Sequence, residues 1–223
     1  MITTKHVLGL VALLGLSACA SVDTASRNET GITSAPAAIA APAGATEAAP
    51  RLAQIALTGY EVEVPGYLKV SEANAYIPRA DIVWRGDAPG DRYRQVGAIF
   101  EAGLAQAAPT LQGSVPAHAK ITVRRFHGLT EKARYTTGGV HNIIFDLALY
   151  DPATGALLRP VETVHADMRA LGGNRAIEAD AAGQTQKVRV TEHLRRTLLE
   201  ELTQPGGHEN ARLGVIQALN YAR

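Results

Sequence analysis

The side chains best suited to chemistry are concentrated between residues 127 and 142. They comprise two histidines, a lysine, an arginine, a tyrosine, a Gly-Gly pair and an asparagine: His127, Lys132, Arg134, Tyr135, Gly138, Gly139, His141 and Asn142. This stretch joins two predicted strands, and a simple hairpin connection needs only about two to five residues. Longer connections often carry function. We therefore expect this loop to form the rim of the surface that the domain uses for binding.

Two uses of the Gly-Gly pair remain open. The backbone N–H groups of Gly138 and Gly139 could hold an anion beside Lys132 and Arg134. Alternatively, the two glycines simply make a turn and the polar residues around them stay in water. If the loop is exposed, replacing Arg134 and Tyr135 together by alanine leaves the melting temperature nearly unchanged.

Three histidines are candidates for metal binding or catalysis: His127, His141 and His165. A metal site needs three or four converging ligands, and the sequence contains neither H-E-x-x-H nor C-x-x-C nor an aspartate-rich calcium loop. It also contains no G-x-S-x-G elbow and no glycine-rich nucleotide loop. We expect no metal and no cofactor. A periplasmic hydrolase or metal-dependent enzyme using the 127–142 loop stays as the alternative to a binding domain. It requires His127, His141 and a carboxylate to converge in one pocket.

Charged residues also follow the polar faces of the predicted strands. We expect cross-strand ion pairing among five of them: Arg124, Asp146, His165, Asp167 and Arg169. Near the start of the last long predicted helix, Lys187 and Arg189 oppose the preference of the helix dipole. They suit either an anionic partner, such as a lipid headgroup, or a solvated helix face.

The composition narrows the class of protein. Among 223 residues, 22 are basic and 21 acidic, and this balance argues against nucleic acid as a main partner. The single cysteine, Cys19, excludes disulfides, a thiolate nucleophile and Cys-ligated metal from the folded part.

The first residues have the layout of an export signal. Lys5 precedes an apolar run of ten residues, Val7–Leu16, which is shorter than the roughly 20 residues of a membrane-spanning helix. Leu16-Ser17-Ala18-Cys19 resembles the lipobox of bacterial lipoproteins. The resemblance implies a signal peptide at 1–18 and lipidation of Cys19. The alternative is an ordinary secretory leader cut after Ala20.

The resemblance also implies an address, because no aspartate follows the cysteine and the outer membrane is then expected. Residues 20–50 form the next segment; their second half, 35–50, holds nine alanines and three prolines among sixteen residues. The prolines interrupt any helix, so we expect a disordered linker. A periplasmic domain at 51–205 and a tail at 206–223 follow.

Hydrophobic periodicity predicts an α+β fold with two layers. Strands are expected at 55–64, 80–84, 120–126, 142–150 and 157–168, and a turn at 151–155. In the strand at 142–150, one face is expected to point to the core, with Ile143, Phe145, Leu147 and Leu149. A helix is expected after a cap at Asp87, with an apolar stripe through Tyr93, Val96, Phe100, Leu104 and Ala107. A second is expected at 185–202, with a stripe through Val188, Thr191, Leu194, Leu198 and Leu202. A short, poorly anchored helix is expected at 212–221. These elements would give an antiparallel sheet of about four to five strands with two helices on one face.

Two segments of the domain resemble bacterial envelope lipoproteins of uncharacterised function: Arg134–Asn142 (RYTTGGVHN) and Gly183–Thr191 (GQTQKVRVT). That resemblance implies no activity. The sequence therefore favours an outer-membrane lipoprotein whose periplasmic domain binds a protein or another envelope component, and it favours a binding role over an enzymatic one.

Overall fold

The computed structural model describes residues 55–221 of the chain. The elements are β1 (Ile55–Glu63), β2 (Ile82–Val83), α1 (Arg92–Ala107), β3 (Val115–His127), α2 (Glu131–Arg134), β4 (Gly139–Tyr150), β5 (Glu162–His165), β6 (Met168–Ala170), α3 (Asn174–Ala181), α4 (Gln186–Thr203) and α5 (Val215–Tyr221). Helices pack on a sheet, so the domain is α+β. The predicted leader, Cys19 and the linker lie outside the described residues.

The sheet has six strands and is mixed. Its main order is β1-β3-β4-β5, while the short strands β2 and β6 pair with β3 and β4. Both β1 and β2 run parallel to β3, and the remaining pairs are antiparallel. This differs from the predicted antiparallel sheet of about four to five strands. The helix α1 crosses over between β1 and β3, as parallel neighbours require.

The helix α1 begins one turn later than predicted. Its cap is Asp91, whose carboxylate accepts a hydrogen bond from Arg94 N over 3.1 Å. The predicted cap, Asp87, instead accepts from Trp84 Nε1 and pairs with Lys187, both over 2.8 Å. The predicted apolar stripe of the helix is otherwise correct, since four of its members are fully buried: Val96, Phe100, Leu104 and Ala107.

The helix α4 lies beside α1. It begins after Thr185, whose hydroxyl accepts from Val188 N over 3.3 Å. Its buried side includes Val190, whereas the predicted Val188 is exposed. At Gly103 the two helices approach closely, because a Cβ there would lie 3.4 Å from Leu194 Cβ.

The core lies between these two helices and the central strands. The four residues of β4 that were predicted to face inward are all buried: Ile143, Phe145, Leu147 and Leu149. Phe145 meets Phe100 edge to face at 5.3 Å between ring centroids. Arg124 and Asp146 pair across 3.2 Å, as predicted. Within residues 55–221, no helix is both long and apolar enough to cross a membrane.

Three stretches differ from the predicted pattern. The strand expected at 157–168 is divided into β5 and β6, with residues 166–167 outside both. The helix α3 was not predicted. The helix expected at 212–221 is α5, and it is well anchored, because Tyr221 donates its hydroxyl proton to Asp167 over 2.7 Å.

Candidate functional site

The predicted loop is shorter than expected, since β3 continues to His127 and β4 begins at Gly139, and it contains the short helix α2. The segment at 71–78 lies against it. Three polar contacts join the two stretches: Thr130 Oγ1 donates to Ala75 O over 2.8 Å, Lys132 N donates to Asn74 Oδ1 over 2.8 Å, and His127 Nε2 lies 2.9 Å from Pro78 O. They fix one wall of a cavity.

This cavity, which we call the apolar cavity, has a volume of about 270 Å³ and also borders α5. Its lining contains five large side chains that are mainly apolar: Tyr76, Ile77, Leu129, Val140 and Ile216. The rest of the lining consists of three glycines (Gly128, Gly138 and Gly139) and three polar side chains (His127, Thr137 and Asn220). Tyr76 is 49% exposed and Ile216 is 46% exposed. Two large apolar side chains therefore stand in water at its edge.

The Gly-Gly pair makes a turn. Gly138 has φ 71°, and a Cβ there would lie 2.8 Å from Ala170 O. Its N–H donates to Ala133 O over 2.8 Å, so it closes the end of α2. Gly139 pairs with Ala170 in the sheet. Of the two uses left open by the sequence, the structure shows the turn.

A second cavity, the cationic cleft, lies at the start of α4 and shares Leu129 with the apolar cavity. It is small, about 10 Å³, which is room for about one water-sized group. Its charged and polar lining residues are Arg134, His141, Asp180, Gln184, Gln186 and Arg189. The elements α2, β4, α3 and α4 therefore each contribute at least one of them.

The two arginines of the cleft are not equally paired. Arg134 forms an ion pair with Asp180 and donates to Gln186 Oε1 over 3.2 Å. Arg189 donates to Arg169 O over 3.5 Å. Among the residues that the structure describes, Arg189 has no carboxylate within ion-pairing distance. Burial and the neighbouring charge of Arg134 lower the pKa of Arg189.

Two buried nitrogens of the cleft have no hydrogen-bond partner within the described part of the chain. They are His141 Nδ1 and Gln186 Nε2. Burial, and then the charge of Arg189, lowers the pKa of His141 to about 3. The imidazole is therefore neutral at ordinary pH, and it can donate one hydrogen bond.

A third polar group, the Asp167 cluster, lies where β4 meets the C-terminal segment. The Asp167 carboxylate is fully buried and accepts five hydrogen bonds from the described residues, all from neutral groups. The donors are Asn142 Nδ2 (2.7 Å), Ile143 N (3.2 Å), Asn210 Nδ2 (3.3 Å), Gln217 Nε2 (2.6 Å) and Tyr221 OH (2.7 Å). Burial and this carboxylate raise the pKa of Tyr221, so its hydroxyl stays a donor. The predicted ion pairing of Asp167 on a polar face is wrong.

The eight predicted site residues fall into four places. His127, Gly138 and Gly139 line the apolar cavity, Arg134 and His141 line the cationic cleft, Asn142 belongs to the Asp167 cluster, and Lys132 and Tyr135 are exposed. The Lys132 ammonium lies 4.8 Å from the centre of the Tyr76 ring. The side chain of Arg134 is 12% exposed, so the expectation that its removal leaves stability unchanged does not fit its surroundings.

The enzyme alternative required His127, His141 and a carboxylate in one pocket. The two histidines line different cavities, and only His141 shares its cavity with a carboxylate, that of Asp180. Within residues 55–221, no group of three or more His, Cys, Asp and Glu side chains is placed to hold a metal ion.

By sequence, the chain matches a known protein family. Residues 55–218 match DUF6778, described as a family of unknown function. No curated protein matches the chain.

Solved structures show weak similarity. One is described as a "putative lipoprotein" from Caulobacter crescentus, with 16% identity and a TM-score of 0.33, covering 68% of this chain and 89% of that one. Another is a Xanthomonas campestris protein assigned to DUF330, with 12% identity and a TM-score of 0.39, covering 66% and 81%. At these TM-scores the similarities carry no argument about function.

Proposed function

The chain belongs to DUF6778, a family of unknown function, and on that premise we propose a role from its own residues. It is a lipoprotein, lipidated at Cys19 and held at the outer membrane, whose periplasmic domain binds an envelope protein. The partner inserts an apolar side chain into the apolar cavity.

The observation that carries this proposal is the apolar cavity with exposed apolar side chains at its edge. Cavities that hold whole small molecules usually measure about 300–1,000 Å³, and this one measures about 270 Å³. It has room for one bulky side chain, and protein interfaces commonly centre on such an anchor. Exposed apolar groups beside a cavity mark interaction sites. Tyr76 and Ile216 would then become buried on binding.

Site-specific crosslinking in living cells tests the interaction. A photoreactive phenylalanine analogue replaces Ile216 or Tyr76 in the full chain. The control places it at Leu157, which is 47% exposed and pairs with Tyr150 at the other end of β4. We expect one discrete crosslinked protein from positions 216 and 76 and none from position 157. Equal crosslinking at all three positions, or none at any, contradicts the proposal.

A separate experiment tests the anchor. Cys19→Ser should abolish incorporation of labelled palmitate and yield a soluble or uncleaved form, because the acyl chains that hold a lipoprotein at about 0.8 kcal/mol per buried methylene are no longer attached. If the wild type takes up no label and its mature N-terminus is Ser21, the chain is an ordinary secreted protein. The crosslinking result is independent of this outcome.

A further inference from the structure

The cationic cleft contains more positive than negative charge. Two guanidinium groups, Arg134 and Arg189, face one carboxylate, Asp180, which Arg134 already engages. Arginine suits oxyanions because its planar group donates two parallel hydrogen bonds. The guanidinium of Arg189 has such donors to offer, since its one hydrogen bond within residues 55–221, to Arg169 O, is long at 3.5 Å.

Two further donors point to an absent acceptor. Gln186 is 5% exposed and His141 is 2% exposed, and each has a buried nitrogen without a partner in the described part of the chain. The Gln186 amide is held in position because its oxygen accepts from Arg134, and its NH₂ group has no acceptor among the described residues. Buried donors are nearly always satisfied in native proteins. An acceptor-only ligand satisfies both when the neutral His141 imidazole carries its proton on Nδ1.

We propose that the cationic cleft binds the phosphate group of a ligand. Lining groups come from α2, β4 and α4, and a phosphate, which carries more negative charge than a carboxylate, matches two guanidinium groups better. The start of the eighteen-residue helix α4 adds a favourable dipole. The cleft of about 10 Å³ admits one oxygen, and the rest of the group stays at its mouth. A phosphate ester is therefore as acceptable as free phosphate.

The source of the phosphate is either a lipid headgroup or a free ion, and two probes distinguish them. Inorganic phosphate and dibutyryl phosphatidate, a soluble phospholipid, are each titrated calorimetrically into the full chain in uncharged detergent. Tighter binding of the phosphatidate by about tenfold or more identifies a lipid headgroup. Equal affinities identify the free ion. Binding of neither probe at millimolar concentration overturns the proposal.

Variants on one helix test the location. Arg189→Gln should weaken phosphate binding by about tenfold or more, because a charge-assisted hydrogen bond is lost. Arg196→Gln removes the same charge from the same helix at a side chain that is 59% exposed, and we expect a change of less than about twofold. Equal losses of affinity in both variants mean that phosphate binding depends on the overall positive charge of the protein, and the cationic cleft is then not the binding site.

A spectroscopic measurement does not depend on the variants folding. In protein labelled with ¹⁵N at histidine, phosphate should shift the Nδ1 resonance of His141, assigned from His141→Gln, in proportion to the calorimetric saturation. His118, an exposed-side residue of β3, is the internal control and should not shift. A titration that moves His118 and leaves His141 unchanged overturns the proposal.

Discussion

The Asp167 cluster and the cationic cleft are both polar groups inside the same domain, and both draw on the start of β4. In the Asp167 cluster one negative charge accepts five hydrogen bonds from neutral donors. In the cationic cleft the donors outnumber the acceptors, and two buried nitrogens have no partner among the described residues. Two neighbouring residues of β4 belong to different groups, because His141 lines the cationic cleft and Asn142 is part of the Asp167 cluster.

This difference indicates that buried polar groups have two roles in this domain. A carboxylate whose lone pairs are filled by protein donors has nothing left to offer a ligand, so the Asp167 cluster serves the fold by fastening the C-terminal segment to the sheet. Unpaired donors cost stability in the free protein. Buried polar atoms without a partner also occur elsewhere in the described residues, including Asn142 Oδ1 of the Asp167 cluster. What distinguishes the cationic cleft is that two residues with such atoms line one cavity together with two guanidinium groups.

The sharpest test of the structural half of this comparison is Asp167→Ala. Five donors lose their acceptor and the C-terminal segment loses its attachment, so we expect a loss of about 3–4 kcal/mol in the free energy of unfolding. Urea denaturation of the full chain measures it. The matched control is Asp146→Ala on β4, whose carboxylate pairs with Arg124 at the surface, and here we expect about 1 kcal/mol or less. Similar losses in both variants would mean that the five hydrogen bonds add little.

The cationic cleft is tested by the pH dependence of stability. The pKa of His141 is about 3 in the folded protein, against an ordinary 6.5. Between these values the unfolded chain binds a proton that the folded protein does not, so stability is complete above pH 6.5 and is lost as the pH falls. We expect His141 to account for a loss of about 1–2 kcal/mol between pH 7 and pH 5.

The matched measurement compares the wild type with His141→Gln in urea at pH 7 and pH 5. Other groups also contribute to the pH dependence, including His193, whose pKa is lowered by burial. The difference between the two proteins isolates His141, because the other groups are common to both. If the variant loses as much stability as the wild type on acidification, the imidazole is hydrated and the cleft is open to water.

Hydrophobic periodicity predicted the strands and helices of the core, but it did not predict which neighbouring strands run parallel. The inward residues of β4 and the stripe of α1 follow the spacing of a strand and a helix, so the sequence reveals them. The parallel pairing of β1 with β3 leaves no mark in an alternating strand. Helix α3 escaped prediction because Ala176 is its one buried residue, and a single apolar position has no period.

The polar groups were harder to predict, since their partners are distant in sequence. Asp167 alternates with the inward-facing Val164 and Ala166, and this pattern predicted a surface position for its side chain. The chain instead leaves the sheet at 166–167, between β5 and β6. Its donors Asn210, Gln217 and Tyr221 follow some fifty residues later. Arg134 and Arg189 were each noted as basic, but only tertiary folding joins α2 to the start of α4.

The smallest expected effect marks the boundary of the cationic cleft. Tyr135 follows Arg134 and is 50% exposed, and its ring centre lies 5.8 Å from the Arg134 guanidinium carbon. Because half of the ring is already in water, Tyr135→Ala should change the free energy of unfolding by about 0.5 kcal/mol or less, as for most exposed positions. Tyr67→Ala, at a side chain 77% exposed, is the matched control in the same urea titration. A loss above about 1 kcal/mol at Tyr135 alone would mean that the ring holds Arg134 in place. The cleft would then extend to the surface and include Tyr135.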